Sequence, residues 1–189
     1  MHTLHIIFSK TDTFVGSCIR HILGGEYNHC SIALDGDLTR LYSFSRIYRP
    51  LWFTGYFCIE DTSHFLDYDT VTIHITDSEY EKITAFLNTL GHSFAIYNYL
   101  AAVALVFGRS VPIATSYTCS TFTARVLTLL DQMVLTKCWS VYTPMDLYRL
   151  LSVSSKSQYT LDKSQDLCYN YYHRGGYMNG ELLSEKSHL

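Results

Sequence analysis

Two hydrophobic periods alternate along this chain, and the switches between them outline its elements. Leu4-His5-Ile6-Ile7-Phe8 is a short, nearly unbroken apolar run, which predicts a buried first strand. Phe14, Val15, Cys18, Ile19, Ile22 and Leu23 then fall on one face at helical spacing. Thr11 or Asp12 supplies that helix's cap, and Gly24-Gly25 its stop. Tyr27 to Leu34 reads as a strand and Asp35-Gly36-Asp37 as a turn. Leu41 to Ile47 is then the returning arm of a hairpin. Leu51 to Ile59 is aromatic and lacks a regular period. Thr70 to Ile75 alternates and is β-branched, which predicts a third sheet strand.

The second half is helical in period. Asp77 or Ser78 caps a helix to about Leu90, with Tyr80, Ile83, Phe86, Leu87 and Leu90 inward. Ile96 to Phe107 predicts a second, more buried helix, followed by a loop holding Pro112. Another helix begins near Cys119 and carries Phe122, Val126, Leu129, Leu130 and Met133. Thr143-Pro144-Met145-Asp146-Leu147 is a cap-plus-proline helix start. From about Ser152 the chain is polar and then tyrosine-rich, with Leu167 to Tyr172 as an edge strand and Gly175-Gly176 as a turn. Strands first and helices after predict an α+β fold: a mainly antiparallel sheet with segregated helices. The expectation is one domain over residues 1–189, with a C-terminal extension from about 152.

Composition narrows the function classes. Of 189 residues, 48% are apolar and 16% charged, enough to build a core without disulfides or metal. The net charge is −3 and no Lys/Arg stripe is present, so nucleic acid is not an expected partner. The N-terminus lacks a signal-peptide pattern, and the most apolar stretch, Tyr99 to Phe107, is far shorter than the roughly 20 residues a spanning helix needs. We therefore expect a cytoplasmic protein without a transmembrane segment, which leaves peripheral membrane contact open. Without an export signal, the six cysteines are expected reduced. No C-x-x-C or H-E-x-x-H spacing occurs, so neither a metal nor a cofactor is expected.

Cys119 lies in Tyr117-Thr118-Cys119-Ser120-Thr121, at the start of an amphipathic helix. Unpaired N–H groups and the positive end of the helix dipole favour thiolate over thiol. The same N–H groups can stabilise a developing oxyanion. The plain alternative is a small buried hydrophobe that falls at a helix start. His29 shares a strand face with Ser31 and Ala33, opposite the core-like Cys30, Ile32 and Leu34. Small neighbours leave room there for a helix end or a cleft. The alternative is a structural or exposed histidine. Cys30 adjoins His29 but points to the other face, so the two are poor partners for each other.

The order of elements and two motifs resemble the circularly permuted papain-like amidases. These form part of the NlpC-like (YiiX-like) superfamily, which includes the lecithin-retinol-acyltransferase-like enzymes. Tyr27-Asn28-His29-Cys30-Ser31-Ile32-Ala33-Leu34 resembles their histidine strand, and Tyr117-Thr118-Cys119-Ser120-Thr121-Phe122-Thr123-Ala124 their cysteine helix. Tyr97-Asn98-Tyr99 and Thr143-Pro144-Met145-Asp146-Leu147 are secondary matches, and the likeness covers roughly residues 3–151. It implies a permuted papain-like fold with Cys119 as nucleophile and His29 as base. It also implies a covalent acyl-enzyme, resolved by water or another acceptor. The backbone N–H of Cys119 is an oxyanion donor in that scheme. Tyr117 either adds its hydroxyl to the oxyanion or substrate or is a packing aromatic.

The sequence departs from the family pattern at its third residue and in lacking one family motif. Such enzymes carry a third polar residue that orients the imidazole. Here Ser43 or Ser45 on the returning hairpin strand can lie across from His29, and Glu60 can reach it from the next segment. Three functions remain in view. The first is a cysteine hydrolase (an amidase or thiol protease) cleaving a peptide-like or N-acyl bond. The second is a lipid acyl-ester hydrolase or acyltransferase with the same chemistry. The third is a degenerate member that binds a ligand or partner without turnover. The Asn-Cys-Glu-His motif of the animal lipid acyltransferases is absent.

Overall fold

The computed structural model describes residues 2–11, 24–45 and 55–154. It shows an α+β architecture. Five strands form one antiparallel sheet: β1 (His2–Thr11), β2 (His29–Leu34), β3 (Leu41–Ser45), β4 (Tyr56–Glu60) and β5 (Phe65–Ile75), in the spatial order β4-β3-β2-β1-β5. Four helices are described: α1 (Asp77–His92), α2 (Tyr99–Val106), α3 (Cys119–Leu127) and α4 (Pro144–Ser154).

Strand β1 is an interior strand, paired on both sides, with β2 and with β5. That position explains its apolar run: Leu4, Ile6, Ile7 and Phe8 have no exposed surface. Leu4, Ile6 and Phe8 face the main core, while Ile7 faces a smaller cluster with Ala33 and Leu41 on the other side. Turn chemistry sets the hairpin register. Asp35 and Gly36 both adopt positive φ, at 52° and 77°, the left-handed pair that suits a tight hairpin. At the other end of β2, Asn28 ties the chain to β1, accepting from the Thr11 N–H at 2.9 Å and donating to its hydroxyl at 2.9 Å.

The helices cover one face. Ile83, Leu87 and Leu90 of α1 and Phe122, Val126 and Leu127 of α3 enter the main core with Cys30, Ile32 and Phe44 of the sheet. The centre is aromatic: the Phe122 ring lies 5.5 Å from Phe44, 5.8 Å from Phe57 and 6.2 Å from Phe86. Such ring pairs add to the stabilisation from apolar burial.

The architecture is the expected one, with differences at particular elements. The segment read as irregular, Leu51 to Ile59, contains β4 in its second half, and Tyr56 to Glu60 pair with β3 residue by residue. Strand β5 starts five residues earlier than the Thr70 expected, because Phe65 to Asp69 pair with β1 although most of their side chains are exposed. The α1 cap is Thr76, which forms a capping box with Glu79. Helix α2 is shorter than the expected Ile96 to Phe107 and less buried, with Leu100 and Val103 more than 60% exposed. The returning hairpin strand is described only to Ser45. The helix expected over Phe14 to Leu23 and the strand and turn expected after Ser152 lie outside the described residues.

Candidate active site

Thr118 caps α3. Its hydroxyl accepts from the Thr121 N–H at 3.2 Å, and the Thr121 hydroxyl accepts from the Thr118 N–H at 2.9 Å. This reciprocal pair makes Cys119 the first helical residue. There the N–H groups of Cys119 and Ser120 have no acceptor within the helix. The preceding segment is pinned as well: the Asn98 N–H donates to the Tyr117 carbonyl at 2.9 Å, and the Asn98 side chain caps α2 by accepting from Ala101 at 2.8 Å. Helix α3 packs over β2 and β3, which sets Cys119 against the first residues of β2.

At that point His29, Cys30 and Cys119 meet. The Cys30 thiol and backbone N–H and the His29 imidazole lie beside the Cys119 sulfur and favour its charged form. The Cys30 thiol is the largest influence, and with the His29 charge it outweighs burial. The Cys119 thiol is thereby held well below the usual thiol range. For His29, burial opposes the charged ring. The Glu60 carboxylate and the Cys119 sulfur outweigh it and raise the imidazole well above its ordinary value. For Glu60 burial again opposes charge, and His29 reverses it, so the carboxyl lies below its usual range. The three shifts point the same way: each favours the charged form, thiolate at Cys119, imidazolium at His29 and carboxylate at Glu60.

Glu60 is the strongest imidazole partner of the three residues considered for that position. Its Oε1 lies 2.6 Å from His29 Nε2, and both side chains are nearly buried. Ser43 Oγ lies 3.3 Å from the same nitrogen but donates its proton to the Cys30 carbonyl at 3.1 Å. Ser45 lies 3.1 Å from the Cys58 sulfur, and its hydroxyl helps to lower the Glu60 carboxyl.

Tyr117 sits in the aromatic core, its ring 5.4 Å from Phe44, 6.2 Å from Phe86 and 5.7 Å from Trp139. This matches the packing alternative weighed from sequence. Tyr97 is the tyrosine beside the sulfur. It lines, with Asn28, Thr118, Cys119, Ser120 and apolar residues of α2, a cavity of about 30 Å³. Sequence reasoning missed Tyr97 and Cys30 as site residues. Tyr97 stood out only as part of a secondary motif, and Cys30 was weighed only as a partner of His29. Arg46, Arg49, Trp52 and Phe53 lie outside the described residues.

Among the described residues, no three His, Cys, Asp or Glu side chains form a group that can hold a metal ion. None of their helices is long and apolar enough to cross a membrane. Comparison with protein-family models, curated proteins and solved structures gives no match to this chain.

Proposed function

We propose that this chain is a thiol-dependent hydrolase with a permuted papain-like arrangement in a single domain, cleaving a peptide-like or N-acyl amide. The observation that carries the reading is the buried series Cys119–His29–Glu60, ordered as nucleophile, base and orienting carboxylate. The Cys119 thiolate attacks the carbonyl carbon, and the oxygen takes up negative charge beside the N–H groups at the start of α3. The His29 imidazolium then gives its proton to the leaving nitrogen as the C–N bond breaks. A water molecule, deprotonated by the now neutral His29, attacks the thioester. The acid leaves, and the thiolate–imidazolium pair returns.

Glu60 bears on the binding-only alternative. A carboxylate 2.6 Å from His29 is the imidazole partner that turnover needs, which supports catalysis over binding alone. One observation favours the lipid acyl-ester or acyltransferase reading as the second choice. Helix α2 carries no charged residue; Ala102, Leu105 and Val106 line the cavity at Cys119, and Leu100, Val103 and Phe107 are exposed. An acyl chain fits beside such a helix better than a polar peptide does.

The test is the rate of iodoacetamide alkylation at each cysteine against pH, read by mass spectrometry, for the parent and His29→Ala. The expected result is fast reaction of Cys119 at about pH 6, moving in His29→Ala toward the ordinary thiol value near 8.5. A Cys119 that titrates like the other cysteines, with or without His29, overturns the nucleophile assignment. N-acyl amide and acyl-ester probes then separate the first reading from the second.

A further inference from the structure

The thiol nearest the candidate nucleophile is a second cysteine. Cys30 lies one residue from His29, is fully buried, and has its thiol beside Cys119. The two belong to one packed cluster, Cys30 on β2 and Cys119 on the helix laid across it. The other two described cysteines have hydroxyl partners: Cys58 lies 3.1 Å from Ser45 Oγ and Cys138 3.1 Å from Ser140 Oγ.

Access differs between the two sulfurs. Cys119 forms part of the wall of the cavity of about 30 Å³, while Cys30 does not. A space of that size holds a molecule or two on the scale of water. Hydrogen peroxide is only slightly larger than water, so a space of that size admits it beside Cys119. Cys30 waits behind, shielded from direct oxidation.

We propose that Cys119 and Cys30 form a peroxide-reactive pair, in which Cys119 is oxidised first and Cys30 resolves it as an intramolecular disulfide. In the first step the Cys119 thiolate attacks one peroxide oxygen. The S–O bond forms, the O–O bond breaks, and the departing hydroxide takes the His29 proton and leaves as water. Cys119 is oxidised to the sulfenic acid and the peroxide is reduced. In the second step the Cys30 sulfur attacks the Cys119 sulfur. The S–S bond forms, the S–O bond breaks, and the leaving hydroxide takes the Cys30 proton as a second water. The disulfide protects Cys119 from irreversible over-oxidation and holds it inactive until a dithiol reduces it. The pair rests on the thiolate reading of Cys119 but not on hydrolysis.

The test treats the reduced full chain with a small excess of hydrogen peroxide, then maps cysteines by non-reducing mass spectrometry. The expected product is a Cys119–Cys30 cross-linked peptide with a loss of about 2 Da, and dithiothreitol restores fast Cys119 alkylation. In Cys30→Ala and Cys30→Ser, Cys119 should instead gain about 32 or 48 Da as sulfinic or sulfonic acid, with no recovery. The parent alone decides the matter if the variants fold poorly. Over-oxidation of Cys119 in the parent, or its pairing with Cys18, Cys168 or another chain, overturns the proposal while fast alkylation keeps the nucleophile reading. A Cys119 inert to both peroxide and iodoacetamide overturns both.

Discussion

Glu60 on β4 places its carboxylate 2.6 Å from the imidazole of His29 on β2, reaching across the width of β3. Both side chains are largely removed from water, so the charge on each depends on the other. Glu60→Gln keeps a hydrogen-bond acceptor but removes the charge. We expect the His29 pKa to fall and the Cys119 thiolate to lose support. Its alkylation rate at pH 6 should drop by about tenfold or more, since one pKa unit is a factor of ten. Ser43→Ala should change that rate by less than about threefold, because the Ser43 proton already goes to the Cys30 carbonyl. Equal effects of the two variants would remove Glu60 from its orienting role.

The same pair shapes stability against pH. The raised His29 pKa contributes stability fully below its unfolded value, about 6.5, and loses it as pH rises through the folded value. The depressed Cys119 pKa contributes above its unfolded value, about 8.5, and loses it as pH falls through the folded one. Between about pH 6.5 and 8.5 the two slopes cancel, because folding only moves a proton from sulfur to nitrogen. Glu60, with its lowered pKa, steepens the acid limb alone. Urea midpoints should therefore form a plateau that falls on both sides. A Cys119→Ala, His29→Gln double variant should fall less on both limbs. An unchanged curve in that variant would show that the parent carries no ion pair.

Much of this site was legible because its parts obey local rules. Thr118 before Cys119 is a cap signal, and a strand histidine beside Ser31 and Ala33 is a spacing signal. What local rules cannot give is register across strands. Glu60 reaches His29 only because β4 pairs with β3 so that Glu60 lies opposite Leu41, and the aromatic run before it hid the strand. Cys30 was set aside because it points away from His29. The Cys119 thiol beside it comes from a helix about 90 residues later, which no alternation rule reveals. Helix α2 looked buried because every residue in it is apolar, yet composition does not say which face meets the core.

Cap loss at α3 should be felt at the sulfur. Thr118→Ala removes one half of the reciprocal pair with Thr121 and should cost about 1 kcal/mol of stability. As the first turn loosens, the Cys30 and imidazole contacts on Cys119 weaken, so its alkylation midpoint should move upward. Thr118→Ser, which keeps the hydroxyl, should restore both. A midpoint that stays put while stability falls would separate the cap from the chemistry.

Gly55 offers a way to move Tyr97 without touching the charged groups. A Cβ added at Gly55 would lie 2.7 Å from Tyr97 Cβ and 3.3 Å from the Ser45 carbonyl, too close for either to ignore. The Tyr97 N–H also donates to the Gly55 carbonyl at 2.7 Å, so the two segments cannot separate freely. Gly55→Ala should therefore cost about 1–3 kcal/mol and push Tyr97 off the wall it shares with Cys119. The wall then opens, and the high-pH plateau of Cys119 alkylation should rise while its midpoint stays fixed. Gly91→Ala is the control. It lies within α1 with open space around it, and should add about 0.5–1 kcal/mol of stability with no change at Cys119. A plateau that moves in Gly91→Ala as well would mean that access to the sulfur follows global stability rather than the position of Tyr97.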